Sequence, residues 1–283
     1  MKVKIVQHKT SAFFKKCIFL FLILLSFSSL YSQGSLISVT NKVEGGYNFW
    51  LHSPGVITDP GKPVPLILFL HGRSLSGSNL ELVKRYGILN EVIRRRKLPA
   101  YVLAPQCPKG QGWNPERILK VVNYIQKKYN TDTNRLYVAG MSLGGYGVLH
   151  FTGAFPEKVA AAAAFCGGGN VKDCPKLATV PLWIVHGTAD RAVSYLESQR
   201  IVDGINKVNQ GINLKYDLLK GAGHGEPSRL FSMDEFYQWL FMHSKDSVQL
   251  TQKDTISVDH KRFAPRHSKK KKSKKKKKST KKK

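Results

Sequence analysis

Read for apolar and polar positions alone, the middle of the chain alternates between two patterns. The runs "YNFWLHS", "PLILFLHG", "YVLAPQ", "RLYVAGM", "VAAAAAFCGG", "PLWIVHG" and "LKYDLLKG" are short, apolar and often apolar at consecutive positions, which reads as strands. Between them, "LELVKRYGILNEVIRRR", "NPERILKVVNYIQKKY", "SYLESQRIVDGINKV" and, after the last strand, "DEFYQWLFMHS" place apolar residues at the three-to-four spacing of a helix face. This alternation predicts an α/β fold. Strands such as "LILFL" and "LWIVH" have no polar face, as expected when helices cover both sides of a mostly parallel sheet. No internal repeat and no second domain are visible, so residues 34–245 are expected to form one domain.

The two ends depart from this pattern. Lys15 and Lys16 precede an apolar run from Cys17 to Leu25, and small and polar residues follow through Gly34. That order is the one a secretory signal has, and residues 1–33 are expected to be removed on export. An uncleaved anchor is the alternative, but the uninterrupted apolar run is much shorter than the ~20 residues a spanning helix needs. Residues 246–283 end in "HKRFAPRHSKKKKSKKKKKSTKKK", a self-repelling stretch expected to be a disordered polylysine tail.

Charge changes meaning once the ends are set aside. The formal net charge of the 283 residues is +28, yet 15 of the 46 Lys and Arg lie in residues 261–283 and five in residues 1–33. The remaining 26 face 18 acidic residues, a balance of +8 for the middle. Lysines interleaved only with serine and threonine offer no aromatic platform for bases, so specific nucleic-acid recognition is not expected. Adhesion to a polyanionic surface through the tail is one reading, and a merely solubilising tail is the other. Three cysteines remain beyond the signal. Cys166 and Cys174 flank "GGGNVKD" and a disulfide between them is left open, with Cys107 then a buried free thiol.

Chemistry enters at "RLYVAGMSLGGYG". Ser142 falls where a strand stops and a helix starts, inside Gly140-Met141-Ser142-Leu143-Gly144. A serine there takes a strained backbone conformation that exposes its hydroxyl, and the flanking glycines let strand and helix approach closely. A hydroxyl is a poor nucleophile without a base, so a histidine and an orienting carboxylate are required at other strand ends. Asp190 follows "PLWIVHG" and His224 follows "LKYDLLKG", at spacings of 48 and 34 residues along the chain. His71 and His186, at the ends of apolar strands, are instead expected to be fixed by packing and backbone hydrogen bonds, and His150 and His243 to belong to helices. Donors for an oxyanion are expected from the backbone amides of Leu143 and of Arg73 in the loop after "PLILFLHG".

With these motifs assembled, the chain resembles the α/β-hydrolase superfamily, in its secreted, lidless esterase-like branch. "LILFLHG", "APQCP" followed by Trp113, "GMSLGGYG", "FCGGG", "VHGTAD" and "GAGHG" look like the group labelled phospholipase/carboxylesterase, dienelactone hydrolase or predicted peptidase. Relatives of that group include feruloyl and acetyl xylan esterases. The resemblance spans roughly residues 43–244 and implies Ser142 as nucleophile, His224 as base and Asp190 as its orienter.

Substrate is constrained by what is missing. Only about 15 residues separate "AAAFCGG" from "PLWIVHG", which is no space for a cap domain. An open cleft taking an exposed ester is therefore expected, with Trp113, Tyr146 and Phe165 available to stack on a sugar or aromatic acyl group or, equally, to pack in the core. The expected function is hydrolysis of carboxylic esters through an acyl-enzyme, with acyl substituents of carbohydrates as one candidate substrate class and the acyl and alcohol parts left open. The alternatives are a serine peptidase of prolyl-oligopeptidase type and a noncatalytic surface-binding protein on a hydrolase scaffold. No metal-ligand cluster, phosphate loop or dinucleotide fingerprint is present in the required context, so no cofactor is expected. The expected protein is a monomer, exported to the periplasm or beyond.

Overall fold

The computed structural model describes residues 34–55, 61–94, 96–209, 211, 213–246 and 259–263. Eight strands, β1 (Leu36–Val39), β2 (Phe49–His52), β3 (Val64–Leu70), β4 (Tyr101–Pro105), β5 (Thr131–Met141), β6 (Ala161–Phe165), β7 (Leu182–Gly187) and β8 (Leu214–Leu219), join in a single sheet. Its order is β1-β2-β4-β3-β5-β6-β7-β8. β1, β2 and β4 pair antiparallel at one end, and every pairing from β4 through β8 is parallel. Helices α1 (Ile88–Ile93), α2 (Pro115–Lys128), α3 (Leu143–Ala154), α4 (Cys174–Leu177), α5 (Leu196–Asn209) and α6 (Asp234–Phe241) lie between and after the strands.

Successive side chains of a strand point to opposite faces, so a strand buried throughout needs cover on both sides. β3 shows this directly, being buried at every position. Leu66, Leu68 and Leu70 join one core cluster with residues of α2, α3 and α5, while Ile67 and Phe69 join the other with residues of α1 and α6. The expected α/β architecture without a cap is what forms. Between β6 and β7 there are only two short turns, Val171–Asp173 and α4, so nothing from this segment roofs the sheet edge.

Three expectations change, and one open question closes. β1 is an eighth strand, short and poorly buried at the sheet edge, and its weak apolar signal hid it. The helical period over residues 80–96 does not give one helix but a 3-10 segment, Leu80–Arg85, and then α1. The break falls at Gly87, which has φ +81° and sits on the Phe69 ring, so closely that an added Cβ would lie 2.0 Å from it. Residues 246–283 were expected to be disordered throughout, yet His260–Phe263 form a helical turn with Phe263 only 1% exposed in the core. An aromatic side chain that reaches an apolar groove is buried regardless of its charged neighbours. The question left open is the bridge: Cys107, Cys166 and Cys174 are all free and buried, with none between the latter two. Cys166 instead turns toward the His224 carbonyl and Cys174 toward that of Ile201 on α5. The signal expected at residues 1–33 and the lysine run lie outside the described residues. Among those described, no helix is long and apolar enough to cross a membrane.

Candidate active site

The turn from β5 into α3 carries Ser142 at φ 59° and ψ −121°. A non-glycine residue with positive φ stores backbone strain and persists only where its surroundings fix it. Here the Ser142 N–H donates to the Phe165 carbonyl at 2.8 Å, and the Ser142 carbonyl accepts from the Tyr146 N–H at 3.1 Å. Close packing locks the bend. A Cβ on Gly144 would lie 1.8 Å from the Leu70 carbonyl oxygen, so α3 rests directly on the backbone of β3.

Asp190 follows β7 and its side chain is fully buried. Both oxygens are in use. Oδ1 accepts the N–H groups of Ala192 and Val193 at 2.8 and 2.9 Å, and Oδ2 accepts from His224 Nδ1 at 2.7 Å and from His186 Nε2 at 3.2 Å. Burial pushes the Asp190 carboxyl up, but the Val193 amide, His224 and the Ala192 amide outweigh it and hold the group below its usual range. Because His224 Nδ1 faces a carboxylate, it carries the proton, and Nε2 is left with a lone pair. Ser142 and His224 line one cavity of about 1010 Å³. No hydrogen bond joins their side chains among the described residues, a contact that is often long until substrate is bound.

Leu143 and Arg73 each open a helical element, α3 and the 3-10 turn Arg73–Leu75, and both line the same cavity. The first N–H of a helix has no acceptor within it, so both amides are free to meet an oxyanion. The loop bearing Arg73 is tied down from behind. His71 donates through Nδ1 to the Gly72 carbonyl at 2.8 Å and accepts the Cys107 N–H on Nε2 at 3.1 Å. Gln106 Nε2 donates to the carbonyls of Leu75 and Asn79, and Trp113 Nε1 donates to that of His71.

The sequence leaves Trp113 and Phe165 each between cleft and core. Trp113 is 5% exposed, edge-on to Tyr47 and His71, and its N–H is spent inside the protein; it supports the loop and gives the cavity a wall. Phe165 is wholly buried against Phe231, Phe236 and Trp183 and is no cleft residue. Tyr146 is half-buried and does line the cavity. Sequence reasoning missed Gln106 and Tyr86, and it placed His150 on a helix, where it is, but not at the cavity that it lines. His186 is held by the Val193 carbonyl, as a packed strand-end histidine would be, yet it also reaches Asp190. Its place four residues before the acid was the signal. Cys166, His186 and Asp190 bring ligand-type atoms within 4.8 Å of one another. The Asp190 oxygens are already committed to four N–H donors, so the group fits a support for the acid better than an ion site.

A strained serine after the fifth strand of a mostly parallel sheet, with acid and histidine after later strands, defines the α/β-hydrolase fold. Residues 111–232 match the dienelactone hydrolase family. Over 79 residues, 28% of this chain, the sequence is 37% identical to a bifunctional acetylxylan esterase/xylanase of Neocallimastix patriciarum. That match spans 12% of the relative's length. A thermostable esterase superposes with a TM-score of 0.62 at 24% identity, covering 76% of this chain and 64% of its own. An acetyl xylan esterase from Aspergillus awamori gives 0.53 at 16% identity, covering 70% of this chain and 98% of its own. A feruloyl esterase module from Clostridium thermocellum gives 0.53 at 14% identity, covering 68% and 83%.

Proposed function

We propose that this protein is a serine esterase that cleaves carboxylic esters through an acyl-enzyme. The observation that carries the reading is Ser142, bent to φ 59° at the cavity that the 2.7 Å His224–Asp190 pair also reaches. Ser142 Oγ attacks the ester carbonyl as His224 Nε2 takes its proton, and Asp190 stabilises the imidazolium. The carbonyl oxygen gains charge facing the amides of Leu143 and Arg73. His224 then protonates the leaving alkoxide as the tetrahedral intermediate collapses. Water, deprotonated by the same histidine, attacks the acyl-enzyme and releases the acid and Ser142.

An uncapped cleft offers little apolar cover for a long acyl chain, which favours short or aromatic acyl groups on a bulky alcohol. The acetylxylan esterase/xylanase relative supports acyl groups on carbohydrate as the substrate class.

Hydrolysis of a short-chain aryl ester tests the reading. Ser142→Ala and His224→Ala should each lose at least about 10⁴-fold in kcat with fold retained. Full activity in Ser142→Ala would end it. Wild-type turnover of peptides with no turnover of esters would replace it with the peptidase.

A further inference from the structure

Between the 3-10 segment Leu80–Arg85 and α1 stands Tyr86, which lines the cavity but has no part in the triad. Its ring is set edge-on against the fully buried Phe69, at 6.4 Å and 87°. Its oxygen accepts the Gly72 N–H at 2.7 Å, one residue before the Arg73 amide. A Cβ placed on Gly72 would lie 2.7 Å from that oxygen and 3.3 Å from Ser142 Cβ, so the phenol and the serine converge on one point of the loop.

A phenol both accepts and donates. Gly72 uses the accepting side, and the Ser74 hydroxyl, which can donate or accept, is hydrogen-bonded to the same phenol. Apart from that hydroxyl, no acceptor among the described residues meets the Tyr86 O–H, and an oxyanion in the cavity would take the proton in preference to a neutral hydroxyl. Packing the ring against Phe69 would need only phenylalanine, so the hydroxyl calls for a polar reason. Hydrogen bonds received by the oxygen polarise its O–H and make it a stronger donor.

We propose that Tyr86 is a catalytic residue, its O–H a third donor to the oxyanion formed when Ser142 attacks, beside the amides of Leu143 and Arg73. This rests on the serine esterase reading above. The phenol is preorganised, since its ring is packed and its oxygen is fixed by backbone, and such donors act most strongly where charge develops. Burial raises its pKa, with the Gly72 and Ser74 hydrogen bonds opposing, so it keeps its proton through the neutral range.

Kinetics of the full-length chain on a short-chain aryl ester decide the matter. Tyr86→Phe should lower kcat about 10²-fold with KM little changed, the usual effect of removing one oxyanion donor. That variant also strips the Gly72 amide of its acceptor. A series of fluorotyrosines at position 86 therefore accompanies it, because these keep ring and acceptor and change only phenol acidity. Their kcat should vary with phenol pKa, and the alkaline limb of the rate profile should fall to lower pH as the pKa does. A Tyr86→Phe kcat within about threefold of wild type overturns the proposal. So does a fluorotyrosine series with flat kcat and an unmoved alkaline limb, which makes Tyr86 only a prop for Gly72. Ser142→Ala in the same assay separates the two levels: activity surviving there removes the esterase reading itself, whatever Tyr86 does.

Discussion

His71 never meets solvent, and its two ring nitrogens have opposite tasks: Nδ1 donates to the Gly72 carbonyl and Nε2 accepts from Cys107. Only the neutral ring does both. Burial lowers its pKa from the ordinary value to about 4, with the Gly72 carbonyl opposing. Between pH ~6.5 and ~4 the unfolded chain binds a proton there that the folded protein refuses, so stability rises with pH across this window and is lost on acidification. The full effect is about 3 kcal/mol. Thermal midpoints from pH 4 to 8 should show the loss in wild type, and a His71→Gln variant, less stable at pH 8, should give a flatter curve. Asp190→Asn bears on the neighbouring question of tautomer. With the asparagine oxygen held by the Ala192 and Val193 amides, its NH2 donates to His224 Nδ1, the proton moves to Nε2, and kcat should fall by about 10⁴-fold, measured on the aryl ester with the fold checked by circular dichroism.

At the scale of elements, the site depends on helices and strands approaching closer than side chains normally allow. α3 meets β3 at Gly144, where an added Cβ would lie 1.8 Å from the Leu70 carbonyl oxygen, a backbone atom that cannot step aside. Gly144→Ala should therefore displace the elbow, yielding little soluble protein or a sharply lowered Tm and no activity. Gly87 is the hinge between the Leu80–Arg85 segment and α1, and alanine there would meet both the Phe69 ring and an unfavourable φ of +81°. Gly87→Ala should destabilise the protein and, by shifting Tyr86, cost activity in excess of the stability loss. Activity and Tm measured together on that variant test this.

Across the whole molecule, the turn His260–Phe263 ties the C-terminal region to the domain. Phe263 is buried, the Arg262 guanidinium meets Glu235 at 2.6 Å, Arg229 donates to the Arg262 carbonyl, and His260 meets Asp217, which also accepts from Trp183. Phe263→Ala should cost about 2 kcal/mol, the order of a buried aromatic side chain, seen as a lower urea midpoint. Deleting residues 264–283 should leave that midpoint unchanged. The same deletion should abolish salt-sensitive retention on an immobilised acidic polysaccharide if the lysine run is the adhesive its charge suggests.

What the sequence determined by itself was local or periodic. Strand, sharp turn and helix around Ser142 lie within a few turns of chain, and Asp190 and His224 each follow an apolar run, so the parallel arrangement of β3 to β8 brings their carboxyl ends to a common edge. What the tertiary structure decided was contact between distant segments. Placing β4 beside β3 lets Gln106, Cys107 and Trp113 grip the loop that carries Arg73, which makes Trp113 a support for that loop as well as a wall of the cavity. The break at Gly87 brings Tyr86 to Ser142, although the helical period through it reads as uninterrupted. His186 joins Asp190, and Phe263 finds its groove, for the same reason: periodicity reports which way a side chain faces, but only the packed sheet decides what it faces.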